Sequence, residues 1–122
     1  MVWKFTGDKP VYQQIMALLR HAVLRGTFPP GSKIPPVRDL AREAQVNPNT
    51  MQRALSELEQ EGLLTACGTI GRFVTDDPQV LQRLREAIIK DTMRDCARQL
   101  NTVGLTLEEA ARLLPELEKE DV

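Results

Sequence analysis

Asn49, Gln52, Arg53, Ser56 and Gln60 recur at i, i+3, i+4, i+7 and i+11, the spacing of one face of an α-helix. That face carries amides, a guanidinium and a hydroxyl, and no carboxylate. An Asn or Gln amide can make paired hydrogen bonds to an adenine edge, and an Arg guanidinium can do the same to guanine. The chemistry on offer is therefore base reading in a major groove. An isolated polar face is ordinarily just the solvated side of an amphipathic helix, so its surroundings must decide.

Groups for catalysis are scarce by comparison. His21 is the single histidine and lies near the end of a helix with no evident partner. No carboxylate pair sits in an apolar setting, and there is no Gly-rich phosphate loop. Cys67 and Cys96 lie far apart without metal-ligand spacing, so both are expected as free thiols. No cofactor, no metal and no enzymatic activity are expected.

The elements that must hold the polar face are two short helices. Val37, Leu40, Ala41 and Ala44 form one apolar stripe, and Met51, Ala54, Leu55 and Leu58 form a second at the same spacing. Between them, Gln45-Val46-Asn47-Pro48 is a tight break. Asn47 can cap the second helix through its side-chain oxygen, and Pro48 suits a first helical position, where no N–H is needed. A pair of short helices joined this way, the second polar outward, describes a helix-turn-helix.

Upstream, Lys9-Pro10 opens a helix whose stripe is Tyr12, Ile15, Met16, Leu19, Ala22 and Val23, ending at Arg25 with Gly26 as its cap. Phe28 to Ser32 reads as a turn, and Lys33-Ile34 as a very short strand. Downstream, Leu63-Leu64-Thr65 and Arg72 to Thr75 read as strands of a hairpin, with Gly68 and Gly71 bracketing its turn. A two-stranded hairpin is marginal alone, so it must pack on the helices, with Leu63 and Phe73 as expected anchors. The hairpin is a wing. Gly71 permits either a close approach to a sugar-phosphate backbone or simply the hairpin geometry, and Arg72 adds a charge beside it.

Past Asp76-Asp77-Pro78, a long helix is expected to about Leu100, and Asn101 to Gly104 ends it. Thr106 and Glu109 have the spacing of a capping box for a last helix, in which Pro115 introduces a kink or a separate turn. The apolar residues of this tail, among them Leu81, Leu84, Ile88, Leu107, Leu114 and Leu117, are more than 47 residues can bury by themselves. A homodimer, which presents one patch twice about a two-fold axis, is the expected partner for them.

Composition is consistent with this division. The 122 residues are 42% hydrophobic and 27% charged, enough for one domain with an appendage. The net charge of −1 conceals an asymmetry: residues 1–75 carry nine Lys/Arg against six Asp/Glu, and residues 76–122 carry seven against eleven. A DNA-reading part joined to a part with another role has this pattern. Five aromatic residues do not make a stacking platform for single strands. No apolar run is long enough to span a membrane and the start lacks a signal-peptide core, so a cytoplasmic protein with no membrane partner is expected.

One further observation concerns the order of elements. Tyr12-x-Gln14-Ile15, Gly26, Pro30-Gly31, Pro35-x-Val37-Arg38-Asp39-Leu40-Ala41, Val46-Asn47-Pro48-Asn49-Thr50, Arg53-Ala54-x-x-x-Leu58-Glu59, Gly62-Leu63 and Gly71-x-Phe73-Val74 together resemble the GntR family of bacterial transcription regulators, over residues 10 to 75. The short helical tail resembles the YtrA-type branch, where it is implied to mediate dimerisation. The resemblance implies that Arg38 contacts DNA, that Asn47, Asn49, Thr50, Gln52 and Arg53 meet phosphates and bases, and that Gly71 approaches the minor groove. Repression of a nearby operon, often one for a transporter, is implied in the same way.

Three departures from the family pattern matter. Pro36 stands where a serine usually caps the second helix, for an expected loss of about 1 kcal/mol. Cys67, Gly68 and Thr69 stand where an arginine and a Gly-x-Gly turn are usual, leaving wing contacts weaker or transferred to Arg72. Gln52 stands where arginine is frequent, which should shift base preference toward adenine.

The expected fold is mainly α with a small β-hairpin: a winged helix-turn-helix DNA-binding domain at 1–75 and a helical dimerisation tail at 76–122. The expected function is a dimeric, sequence-specific transcriptional repressor on a palindromic site in double-stranded DNA. A winged-helix protein-interaction module without DNA binding is the alternative. A small-molecule effector would have to bind at the wing–tail junction or between subunits, because the tail is too small to enclose one.

Overall fold

The computed structural model describes residues 1–120. In chain order it contains α1 (Val11–Leu24), α2 (Val37–Ala44), α3 (Pro48–Gln60), β1 (Leu64–Cys67), β2 (Gly71–Val74), α4 (Pro78–Asn101), α5 (Leu107–Ala111) and α6 (Leu114–Glu120). Two compact units divide the chain, Met1–Leu84 and a second from Arg85 onward.

In the first unit α3 is the central element, packing against α1, α2 and β1. Its stripe of Met51, Ala54, Leu55 and Leu58 is fully buried, as are Ile15 of α1 and Leu40 of α2. Burying a Leu-sized side chain contributes about 1.5–3 kcal/mol. Arg20 of α1 pairs with Glu61 just past the end of α3, and Met1, Trp3 and Phe5 of the lead-in pack on the same core.

The turn between α2 and α3 depends on two backbone devices. Gln45 adopts the left-handed conformation at φ 57°, and the Val46 N–H reaches back to the Ala41 carbonyl at 3.0 Å, closing α2. Asn47 then accepts the Asn49 N–H at 2.8 Å, with Pro48 at the first helical position. Asn47→Ala is expected to cost about 1 kcal/mol of stability. The check is the urea midpoint at unchanged m-value; an unmoved midpoint would show that the cap contributes nothing. Pro36, by contrast, caps α2 with no side-chain hydrogen bond.

The wing pairs antiparallel with Leu64 opposite Val74 and Cys67 opposite Gly71. Ser32 to Ile34 adds a third row of bonds along β2. The Val74 N–H donates to the Ser32 carbonyl at 2.8 Å, and the Ile34 N–H to the Arg72 carbonyl at 3.0 Å. The expected short strand is thus a single bridge, Lys33 to Phe73. Leu63 is an anchor, as expected, but Phe73 is not the other. Side chains alternate across a strand, so with Val74 and Leu64 facing the core, Phe73 lies on the opposite face beside exposed Thr65. Val74 is the second anchor.

Leu81 and Leu84, at the start of α4, pack against the core of the first unit. This packing carries that compact unit past the end of the hairpin to Leu84. In the second unit, the Thr106–Glu109 capping box forms with both bonds present. The segment after it breaks into α5 and α6, with Pro115 in the first turn of α6. None of the described residues of this unit is buried within the chain. Ile89, Met93, Leu113, Leu114 and Leu117 are each about half exposed.

Candidate nucleic-acid interface

With one face of α3 committed to the core, its other face presents Asn49, Gln52, Arg53 and Gln60 to solvent, and Ser56 half-buried beside them. Gln52 is not free to wander, because its amide N–H donates to the Ser56 hydroxyl at 3.1 Å, one turn on. Arg53 is held from two sides. Its guanidinium lies 3.7 Å above the centroid of the Tyr12 ring, a cation–π contact between α3 and α1. Its Nε is also 3.6 Å from the Glu57 carboxylate. The side chain remains 60% exposed, so the guanidinium edge stays available while its plane is fixed.

Around this face the structure brings together most of the expected residues. Asn47 and Asn49 sit at the α3 N-terminus, where the helix dipole and unpaired N–H groups favour an anion. The Asn47 oxygen is already used in the cap. Thr50 is half-buried in the first turn of α3. Arg38, in the first turn of α2, is exposed, at a helix N-terminus where the Asp39 and Leu40 N–H groups donate to the Pro36 carbonyl at 3.0 and 3.1 Å and no side chain caps the turn.

Arg72 and Gly71 both make contacts within the chain. Arg72 forms an ion pair with Glu59 of α3, and only 18% of its side chain is exposed. It ties the wing to α3. At Gly71, φ is +136° and an added Cβ would lie 2.8 Å from Cε of Lys33, so the missing side chain makes room for a lysine of this same chain. Of the residues assigned to dimerisation, Leu81 and Leu84 are occupied within the first unit. Ile88 and Leu107 are half-buried, while Leu114 and Leu117 are exposed.

Tyr12 was legible as part of an apolar stripe and of the family pattern but not as a partner of Arg53, because that contact joins two helices that no local period relates. The same holds for Lys33, whose place beside Gly71 depends on the third row of wing hydrogen bonds.

Residues 11–74 match the family described as bacterial regulatory proteins, gntR family. The chain is 29% identical over 112 residues to the HTH-type transcriptional repressor YtrA of Bacillus subtilis, an alignment covering 91% of this chain and 86% of that one. Its fold is similar to that of a GntR family transcriptional regulator from Listeria monocytogenes, with a TM-score of 0.84 at 28% identity, over 92% of this chain and 98% of that one. It is also similar to AraR(DBD) in complex with operator ORX1, with a TM-score of 0.55 at 27% identity, over 59% of this chain and 93% of that one.

Proposed function

Since this chain belongs to the gntR family of bacterial regulatory proteins, DNA-binding transcription regulators, we propose that it is a cytoplasmic, homodimeric repressor of a palindromic operator. The observation that carries this reading is the outward face of α3, with Arg53 oriented on Tyr12 and Gln52 on Ser56. Residues 1–75 read the DNA and 76–122 hold the dimer together. Asn49, Gln52 and Arg53 take base edges, while Arg38, Asn47 and Thr50 set register against phosphates. Two copies place their α3 helices in successive major grooves, about 34 Å apart. The repressor name of the Bacillus subtilis relative and the operator complex of AraR(DBD) support the direction of regulation and the partner.

The test is selection of binding sites from random duplex DNA by the full-length protein at moderate salt. Enrichment of a palindrome is expected. Arg53→Ala is expected to cost about 1–3 kcal/mol on the selected site and to relax preference at one base position. Equal affinity of the two proteins for that site would remove Arg53 from base reading. No enrichment by the wild type would favour a winged-helix module that engages a protein instead of DNA.

Regulation by a small molecule would need a site that alters the spacing of the two recognition helices. Within the first unit, a cleft of about 280 Å³ lies between Glu61, Leu63, Val80, Arg83 and Leu84. It is at the small end of ligand sites, so an effector held there would be a small metabolite.

A further inference from the structure

We propose that the phosphate-contacting cation of the wing is Lys33, and that Arg72 is a strut that holds the wing on the recognition helix. The inference rests on the DNA-binding reading above and assigns the contact beside it. A duplex whose major groove holds the outer face of α3 must run its flanking strand past whatever stands beside α3. On the wing side that is the hairpin tip, because Arg72 of β2 is paired with Glu59 of α3.

Arg72 is less well placed than Lys33 to reach a phosphate, because its Nε is held by Glu59 and only 18% of its side chain is exposed, against the 60% of Arg53. Its guanidinium is engaged by a carboxylate and mostly covered; turning it to a phosphate would leave Glu59 without its partner, close to a second anion. Lys33 is placed differently. It is exposed, and among the described residues its ammonium has no ion-pair partner. Its stem crosses β2 at the one position without a side chain, with Cε 2.8 Å and Nζ 3.7 Å from where a Gly71 Cβ would stand. The backbone of Lys33 is itself held by the bridge to Phe73, so the charge is carried at a defined point of the wing.

The surroundings fit a DNA strand better than any other occupant. Lys33, Pro36, Thr69, Ile70 and Gly71 border an open groove of about 400 Å³ between the hairpin tip and the start of α2, and Arg72, paired with Glu59, also forms part of its wall. No carboxylate lines it. Ile70, 65% exposed at the tip, offers an apolar surface to deoxyribose. Arg38, in the first turn of α2, adds a second cation beyond the groove's α2 wall. A sugar-phosphate strand, anionic on its edge and apolar on its sugar faces, complements these walls.

The test measures affinity for the selected operator and for an unrelated duplex across a salt series. The proteins are full-length wild type, Lys33→Gln, Lys33→Arg and Arg72→Gln, each with its thermal midpoint. Lys33→Gln is expected to weaken binding to both duplexes by a similar factor and to flatten the slope of log K against log salt by about 0.9. Lys33→Arg should restore the slope. Arg72→Gln should keep the wild-type slope and lower the thermal midpoint. An unchanged slope in Lys33→Gln, or a slope loss in Arg72→Gln, overturns the assignment while leaving DNA binding intact. Failure of the wild type to bind any duplex overturns the assignment together with the reading beneath it.

Discussion

Aspartate at both Ile89 and Leu117 is expected to convert a dimer into a monomer and to lower affinity for a two-half-site operator by about a hundred- to ten-thousand-fold. Both side chains are about half exposed, as are Met93, Leu113 and Leu114, and no described residue beyond Leu84 is buried within its own chain. A chain that leaves this much apolar surface in water gains by covering it, and a second copy supplies the same patch. A charge introduced on such a surface, once a second copy covers it, must be desolvated without a partner, which costs more than the contact returns. The affinity loss is large because the second half-site contact ceases to be intramolecular. Sedimentation equilibrium reads the first effect and operator titration the second. The single tryptophan, Trp3, packs on the core of the first unit, so its fluorescence reports whether that unit is still folded. A wild type that sediments as a monomer, or a double variant that remains dimeric, would sink the assignment of the tail.

Leu55→Ala tests the other end of the architecture. Leu55 is fully buried near the middle of α3, the helix that touches α1, α2 and β1. Removing its side chain loses the burial term and leaves a cavity that helices packed on several sides cannot readily close. The expected cost is about 2–5 kcal/mol, against about 5–15 for a whole domain. Urea unfolding followed by Trp3 fluorescence should show a midpoint lowered by a large fraction, and DNA binding lost in proportion to the unfolded population. Gln52→Ala, three residues away on the outward face, should leave the same midpoint within error. Equal midpoints for the two variants would mean that Leu55 contributes no more to the core than Gln52 does.

These paired outcomes reflect a feature of α3 that its sequence carries openly. Met51, Ala54, Leu55 and Leu58 repeat at the helical period, and Asn49, Gln52, Arg53 and Ser56 repeat a fraction of a turn away. Both faces were readable because both periods lie within one helix. The caps were readable for the same reason: Asn47 and Pro48 at the start of α3, and Thr106 with Glu109 in the tail, act over three residues or fewer. The break between α5 and α6 follows from Pro115, whose missing N–H and fixed φ are local properties.

What only the tertiary structure decided are the pairings between elements. Phe73 and Val74 are adjacent and both apolar, and only the register with Leu64 selects Val74 for the core. Arg72 and Lys33 are both cations near the wing tip. The proximity of Glu59 commits one of them to an ion pair, while a third row of hydrogen bonds along β2 places the other beside Gly71. Tyr12 lies beneath Arg53 across 41 residues of chain, and Leu81 and Leu84 are drawn into the first unit although their helix continues into the second. Helix faces, caps and breaks arise from backbone geometry over a few residues, so the amino-acid sequence determines them by itself. Which of two similar side chains is covered, paired or left to meet a ligand depends on neighbours distant along the chain, and it is settled only when the packed elements bring them together.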